Sequence, residues 1–165
     1  MDEQNQIRIA AVWLYIVATA TLLNSLLLQL SLRFVDLLAG LWLTQASDAF
    51  FVGMRSIEPQ GAPPDFEILA ALIVDVLVVL IVVALGVKVS RGSRRAAGIG
   101  FSIYAADTAV LAFIFADSVL SRVALIFLGW QALTLLVHIV GTAIIFGAWQ
   151  TLRRKTRPPA RAVAP

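Results

Sequence analysis

The sequence predicts an all-α integral membrane protein: a four-helix transmembrane bundle with an additional amphipathic interfacial helix after the first span. Two observations predict this fold, the overall composition and the length of four apolar runs. The chain of 165 residues is 60% hydrophobic and 14% charged, with a mean hydropathy of +0.90, whereas an average soluble domain is about 25% charged. A small soluble domain cannot bury such an excess of apolar surface, so lipid is the expected solvent.

Four continuous apolar runs predict the transmembrane helices, at about residues 9–32, 66–89, 97–116 and 123–149. Crossing a hydrocarbon layer of about 30 Å takes about 20 apolar residues in a helix, and each run meets this length. Because the runs do not alternate between apolar and polar residues, they favour helices over barrel strands. The first run is preceded by two acidic residues and is too long for a signal-peptide core, so we expect it to be retained.

The stretch from about residue 33 to residue 55 has the pattern of an amphipathic helix. Most of its polar and charged residues fall on one arc of a helical projection: Arg33, Asp36, Gly40, Thr44, Ser47, Asp48 and Arg55. Trp42 and Phe50 lie off that arc, and such a division suits a helix at the headgroup boundary. The alternative is a fifth span whose polar stripe faces the interior of the bundle.

The distribution of positive charge predicts the orientation. Most lysines and arginines fall in the N-terminal segment, the second connection and the tail, which four spans would bring to one side. The positive-inside rule then predicts a multi-pass protein of the cell membrane with both termini in the cytoplasm. The expected division is a transmembrane domain over 1–152 and a basic disordered tail over 153–165.

Seven basic residues next to the span ends are expected to contact the lipid bilayer. Their positions predict binding to anionic headgroups on the cytoplasmic side, at about 1 kcal/mol for each basic residue near the surface. Nucleic acid is not expected as a partner, because the membrane surface accounts for the basic charge. The residues are Lys88, Arg91, Arg94, Arg95, Arg153, Arg154 and Lys155.

Three ionisable residues lie near the middle of the predicted spans: Asp75, Asp107 and His138. A carboxylate at a helix centre costs about 2.5–3.5 kcal/mol on insertion, so we expect these side chains to face the interior of the bundle. Gln131 and Thr134 share the helix face of His138, and Tyr104 shares the face of Asp107. These six residues are the candidates for a proton or ion pathway: Asp75, Asp107, His138, Gln131, Thr134 and Tyr104.

The same constellation has other interpretations. The acids could be protonated and hydrogen-bonded, holding the helices in register, or they could contact a partner subunit. Two carboxylates and one imidazole could also bind a divalent metal, although we predict no metal because nothing in the sequence fixes their lateral distances.

The sequence contains no catalytic motif that survives inspection: there is no P-loop, no nucleophile elbow and no cysteine. We therefore predict no catalytic residues and no cofactor. The favoured function is a non-catalytic subunit or assembly partner of a membrane complex, with a protein partner or a second copy of the chain. The alternatives are a proton- or cation-conducting channel or transporter and, with less support, a membrane enzyme acting on lipid or quinone.

Overall fold

The computed structural model describes residues 2–29, 40–42, 44, 65–121 and 125–155. Within these residues the chain forms four helices, α1 (Glu3–Gln29), α2 (Asp65–Ser90), α3 (Arg94–Leu120) and α4 (Leu125–Lys155). All four are long and apolar enough to cross a membrane. The predicted all-helical fold with four candidate membrane spans is confirmed at this level.

The helices extend beyond the apolar runs that predicted them. Helix α1 begins at Glu3 and helix α4 continues to Lys155, and these two side chains form an ion pair with an N–O distance of 3.2 Å. One turn further in, the Thr151 hydroxyl donates a 2.6 Å hydrogen bond to the Gln6 side chain. A helix continues past the hydrocarbon because its own backbone hydrogen bonds do not depend on lipid. Residues 153–155, which composition assigned to the tail, therefore complete α4.

The four helices form an antiparallel square. Helix α1 packs against α2 and α4, and α3 packs against the same two helices, so α1 and α3 lie on a diagonal. The contacts between them are made largely by small side chains, including Ala10, Ala11, Ala97 and Ala148, each at most 2% exposed. Small residues let helix backbones approach closely in lipid, where packing replaces the hydrophobic effect as the force between helices.

A tight turn joins α2 to α3. Gly92 has a φ of +81°, which glycine adopts at little cost, and its N–H donates to the Val89 carbonyl while the Ser93 N–H donates to the Lys88 carbonyl. This pair of bonds is the Schellman ending of a helix. Ser93 then caps α3, because its hydroxyl accepts a hydrogen bond from the Ala96 N–H. The turn leaves α2 and α3 no freedom to separate at this end.

The predicted amphipathic helix over 33–55 lies mostly outside the described residues. Its described members are Gly40, Leu41, Trp42 and Thr44, and they are not at a surface. Leu41 and Thr44 are 3% and 4% exposed, inside the bundle. The interfacial location is not supported at these positions, because Leu41 and Trp42 donate their N–H groups to side chains of the four helices and the Thr44 hydroxyl donates to the Leu41 carbonyl.

The outward surface of the bundle is strongly apolar. Phe113 on α3 is 74% exposed, and Leu125 at the start of α4 is 86% exposed. An exposed apolar surface of this kind is costly in water and favourable in hydrocarbon. The polar and titratable side chains instead collect in the interior, which is where the candidate site lies.

A buried carboxylate–imidazole centre

The three mid-span ionisable residues are completely buried, with 0% exposure for Asp75, Asp107 and His138. Asp107 lies thirteen residues from each end of α3, about 20 Å along the helix axis. His138 lies thirteen residues from the start of α4, and Asp75 ten residues from the start of α2. Each residue therefore sits deep within its helix and in the interior of the bundle.

The structure brings Asp107 and His138 into direct contact. The His138 Nε2 lies 3.1 Å from the Asp107 Oδ2, and this contact joins α3 to α4 at the centre of the bundle. The other ring nitrogen, Nδ1, lies 2.9 Å from the carbonyl oxygen of Thr134, one turn earlier on α4. The Tyr104 ring stacks on the imidazole, with centroids 5.0 Å apart and an angle of 6° between the planes. The imidazole is thus fixed in both position and orientation.

A short part of the first connection enters the bundle and completes this site. The Gly40 carbonyl oxygen lies 3.2 Å from the His138 Nε2, and the Trp42 N–H donates a 3.1 Å hydrogen bond to the Asp107 Oδ2. Between them the Leu41 N–H donates a 2.8 Å hydrogen bond to the Thr21 hydroxyl on α1. Main-chain groups at this depth require protein partners, because lipid offers none. We call residues Gly40–Trp42 the inserted segment.

Only glycine fits at position 40, the first residue of the inserted segment, because there is no space for a side chain. A side-chain carbon at Gly40 would lie 2.6 Å from the Asn24 amide nitrogen and 3.2 Å from two main-chain atoms of α1. The segment can reach His138 only because it passes this close to α1 without a side chain.

The hydrogen-bond inventory of His138 depends on which of its ring nitrogens carry a proton. A neutral imidazole has one donor and one acceptor nitrogen. Here Nδ1 faces a carbonyl oxygen, and Nε2 faces the Asp107 carboxyl and the Gly40 carbonyl. A carbonyl oxygen only accepts, so Nδ1 is placed to donate to Thr134. The contact between Nε2 and Asp107 fits an imidazolium beside a carboxylate and equally a neutral imidazole beside a carboxylic acid, and neither combination has a net charge.

Asp75 belongs to a second cluster. The hydroxyl of Ser25 on α1 donates a short hydrogen bond to the Asp75 Oδ2, which ties α1 to α2. Within the described part of the chain, no three metal-binding side chains lie close enough together to hold a metal ion. The structure therefore unites two of the three predicted residues and pairs the third with a hydroxyl.

Two buried polar atoms flank the His138 imidazole on the side toward the lysine- and arginine-rich end of the bundle, which we call the basic end. Tyr104, which covers the ring, is 1% exposed, and the Trp13 indole of α1 lies beside its hydroxyl. In the described structure neither the Tyr104 hydroxyl nor the Trp13 Nε1 makes a hydrogen bond of good geometry. Both rings press on Gly141 of α4, where an added carbon would lie 2.6 Å from the tyrosine ring and closer still to the indole. Unsatisfied buried polar atoms are uncommon and call for a functional or solvent explanation.

The other two predicted pathway residues lie on α4 toward the opposite side. Thr134 contributes its carbonyl to His138, while its hydroxyl donates to the Trp130 carbonyl at 3.0 Å. The Gln131 Oε1 is buried, and no partner for it lies among the described residues. The Gln131 Oε1 lies two helical turns from the imidazole. Like the Tyr104 hydroxyl, it is a buried polar atom with no hydrogen-bond partner among the described residues.

Apolar packing closes the bundle between this centre and its basic end. Leu14, Ala97, Ile145 and Ala148 are each at most 2% exposed, and they fill the section about 10–15 Å from His138. We call these four residues the apolar seal. They would have to move or admit water before any ion could pass.

The predicted headgroup contacts all lie at the basic end. Lys88 and Arg91 flank the end of α2, Arg94 and Arg95 begin α3, and Arg153, Arg154 and Lys155 end α4. None of them approaches the buried centre, so the structure separates the surface charge from the interior charge.

Sequence reasoning missed the residues that complete the centre. Gly40 and Trp42 contribute main-chain atoms, which no side-chain pattern can reveal. The Trp13 indole is also inside the bundle, although tryptophan in a membrane helix is typical of the interface. The polar residues Thr21, Asn24 and Ser25 in an otherwise apolar helix are the sequence signal that could have identified the partner of Asp75.

No protein-family model matches the chain, and comparisons with curated proteins and with solved structures find no match.

Proposed function

We propose that this chain is a proton-handling membrane protein, in which the Asp107–His138 pair holds the proton and the inserted segment responds to its position. One observation carries this proposal: the Asp107 carboxylate and the Gly40 carbonyl converge on the same ring nitrogen of His138. Titratable residues at membrane depth mark proton and ion pathways more often than they mark mere structure.

The coupling follows from the two locations that the proton can occupy. With the proton on the His138 Nε2, that nitrogen bonds both Asp107 and Gly40. If the N–H bond breaks and an O–H bond forms on Asp107, the result is a neutral imidazole and a carboxylic acid. The lone pair of Nε2 then faces the Gly40 carbonyl, so the contact becomes repulsive. A proton transfer over about 1 Å, from Nε2 to the Asp107 Oδ2 that lies 3.1 Å away, would thus loosen the inserted segment.

The surrounding polar groups support a route rather than an isolated pair. Gln131 and Thr134 continue from His138 toward one side, and Tyr104 and Trp13 continue toward the basic side, where the apolar seal stops the series. Asp75, bonded to Ser25, supplies a second acid on α2. The pathway that we propose is closed and gated, and it carries protons. A larger cation would find no continuous opening among these residues.

The membrane and the orientation are part of the proposal. The α2–α3 turn, the start of α1 and the end of α4 share one end of the bundle, and the basic residues cluster there. The positive-inside rule favours the cell membrane with this end and both termini in the cytoplasm.

The test is proton flux in liposomes containing the purified protein and an internal pH dye, with a potassium diffusion potential as the driving force. We expect wild-type protein to conduct and Asp107→Asn and His138→Gln to reduce the flux at least tenfold. Asp117→Asn is the matched control, because Asp117 is an exposed acid near the end of α3, outside the centre. It should conduct like the wild type.

A folded Asp107→Asn variant with undiminished flux would refute the proposal, as would wild-type flux no greater than that of empty liposomes. Folding is checked for each variant by its helical circular dichroism signal and its elution as a single species in detergent. A variant that fails this check is replaced by Asp107→Glu, which keeps the carboxylate but moves it.

A second candidate function, a non-catalytic subunit of a membrane complex, is favoured by how the polar groups are matched across helices. Asp107 bonds α3 to α4, Ser25 bonds α1 to α2, and the Thr108 and Thr142 hydroxyls lie 2.9 Å apart. Bonds of this kind hold a bundle together without transport. Extraction of the native complex in mild detergent should then yield a stable partner chain or a homo-oligomer, and a lone monomer without flux would contradict both candidates.

A further inference from the structure

A groove on the outside of the bundle runs from the basic end toward the hydrocarbon. It has a volume of about 840 Å³ and lies along α3 from Ser93 to Ile103, with Trp149 of α4 as its opposite wall. Ten residues of helix separate its two ends, a length of about 15 Å. The groove is therefore long enough to accept a headgroup and the first part of an acyl chain.

The chemistry of the groove changes along its length. Arg94 and Arg95 line the part of the groove at the basic end, and Ile99 and Ile103 line the part nearer the middle of α3. The change is produced by helical periodicity, because residues four apart repeat along one face. A molecule that fills it must carry negative charge at one end and an apolar chain at the other.

A rigid aromatic wall bounds the groove. The Trp149 and Phe101 rings stack with centroids 5.8 Å apart, and Phe146 packs on both. Gly98 provides the space in front of this wall, because a side-chain carbon there would lie 3.1 Å from the Trp149 Nε1. The Arg153 guanidinium lies 5.7 Å above the Trp149 ring and adds positive charge to the same wall.

We propose that this groove is a binding site for one acidic phospholipid, with its phosphodiester at Arg94 and Arg95 and an acyl chain along Ile99 and Ile103. Guanidinium groups suit a phosphate because they can offer two parallel N–H donors. Tryptophan at this level is typical of the membrane interface. The site is independent of the proton centre, since none of its lining residues contributes to that centre.

The test is lipid binding by the delipidated protein in detergent, followed by native mass spectrometry with phosphatidylglycerol or phosphatidylcholine as the probe. We expect one tightly bound phosphatidylglycerol and no comparable phosphatidylcholine. At about 1 kcal/mol for each basic residue, the double variant Arg94→Gln/Arg95→Gln should weaken binding roughly 30-fold. The matched control Lys88→Gln/Arg154→Gln removes the same charge at the same end, and it should weaken binding much less than the groove pair because neither residue lines the groove.

A steric variant separates a shaped site from simple charge attraction. Ser102 lines the groove and is exposed, and its hydroxyl bonds only the carbonyl of Gly98 at 3.0 Å. Ser102→Phe leaves the charge unchanged and should reduce phosphatidylglycerol binding at least tenfold, with an unchanged melting temperature in lipid-free detergent.

Three results would overturn the site. The control pair could weaken binding as much as the groove pair, Ser102→Phe could bind lipid normally, or inorganic phosphate could displace the lipid. The first two would reduce the effect to surface charge, and the third would indicate a site for free anions.

Discussion

The Asp107–His138 pair at the centre of the bundle makes a quantitative prediction about stability. Replacing Asp107 by leucine leaves the buried His138 Nε2 without its carboxyl partner and also removes the acceptor of the Trp42 N–H. Replacing His138 by phenylalanine keeps a ring against Tyr104 but leaves the carboxylate without its partner. Removing one member of a buried ion pair costs about 3–5 kcal/mol, so each single variant should lose that much.

The double variant Asp107→Leu/His138→Phe should lose far less than the sum. It contains no buried charge, and its remaining defects are the Trp42 N–H and the Gly40 carbonyl, at about 1–3 kcal/mol for each unsatisfied group. The sum of the singles is about 6–10 kcal/mol. The midpoints of the two ranges are about 4 kcal/mol for the double variant and about 8 kcal/mol for the sum, so we expect a coupling energy of about 4 kcal/mol.

The assay is reversible unfolding in mixed micelles on addition of sodium dodecyl sulfate, monitored by tryptophan fluorescence and by far-ultraviolet circular dichroism. The four variants of the cycle are measured under identical conditions. Additivity within about 0.5 kcal/mol would refute the reasoning, because independent sites add and coupled charges do not.

Three further predictions use the same preparation. Gly141→Ala should lose about 1–3 kcal/mol of unfolding free energy because the new methyl group overlaps two aromatic rings, whereas Gly147→Ala, with nothing within 4 Å of the new carbon, should lose none; equal losses would exclude the steric explanation. Ser25→Ala should lose about 1–3 kcal/mol because the buried Asp75 carboxyl loses the partner of its Oδ2, and a loss below about 0.5 kcal/mol would show that this bond does not stabilise the fold. The chain has no native cysteine, so on intact cells an impermeant maleimide should label Ser121→Cys and not Ser90→Cys, and the opposite pattern would reverse the orientation.

The four helices could be predicted because hydropathy is a property summed along the chain. Any window of about 20 apolar residues reports a span whatever its neighbours are. The depth of Asp107 and His138 followed in the same way, from residue counting and the rise of a helix. What counting cannot provide is lateral distance, so the sequence did not reveal that these two residues touch while Asp75 bonds to Ser25 instead.

The first connection shows why a polar stripe is ambiguous. Gly40 and Thr44 lie on the polar arc that predicted an interfacial helix, and both are buried. The pattern reports correctly that these residues need polar surroundings, but water, headgroups and the polar interior of a bundle satisfy it equally well. Which one applies is decided by groups distant in sequence, such as the Thr21 hydroxyl and the His138 ring.

The contacts of the inserted segment are made by peptide atoms, and this limits how they can be altered. A codon change at residue 40 or 42 exchanges a side chain and leaves the carbonyl or the N–H in place. Substituting side chains one at a time would therefore miss two of the atoms nearest the Asp107–His138 pair. Ester chemistry reaches them: an α-hydroxy analogue of Trp42 deletes the donor to Asp107 and weakens the Leu41 carbonyl, which accepts from the Thr44 hydroxyl. The influence of the inserted segment on the Asp107–His138 pair can thus be tested at a main-chain atom.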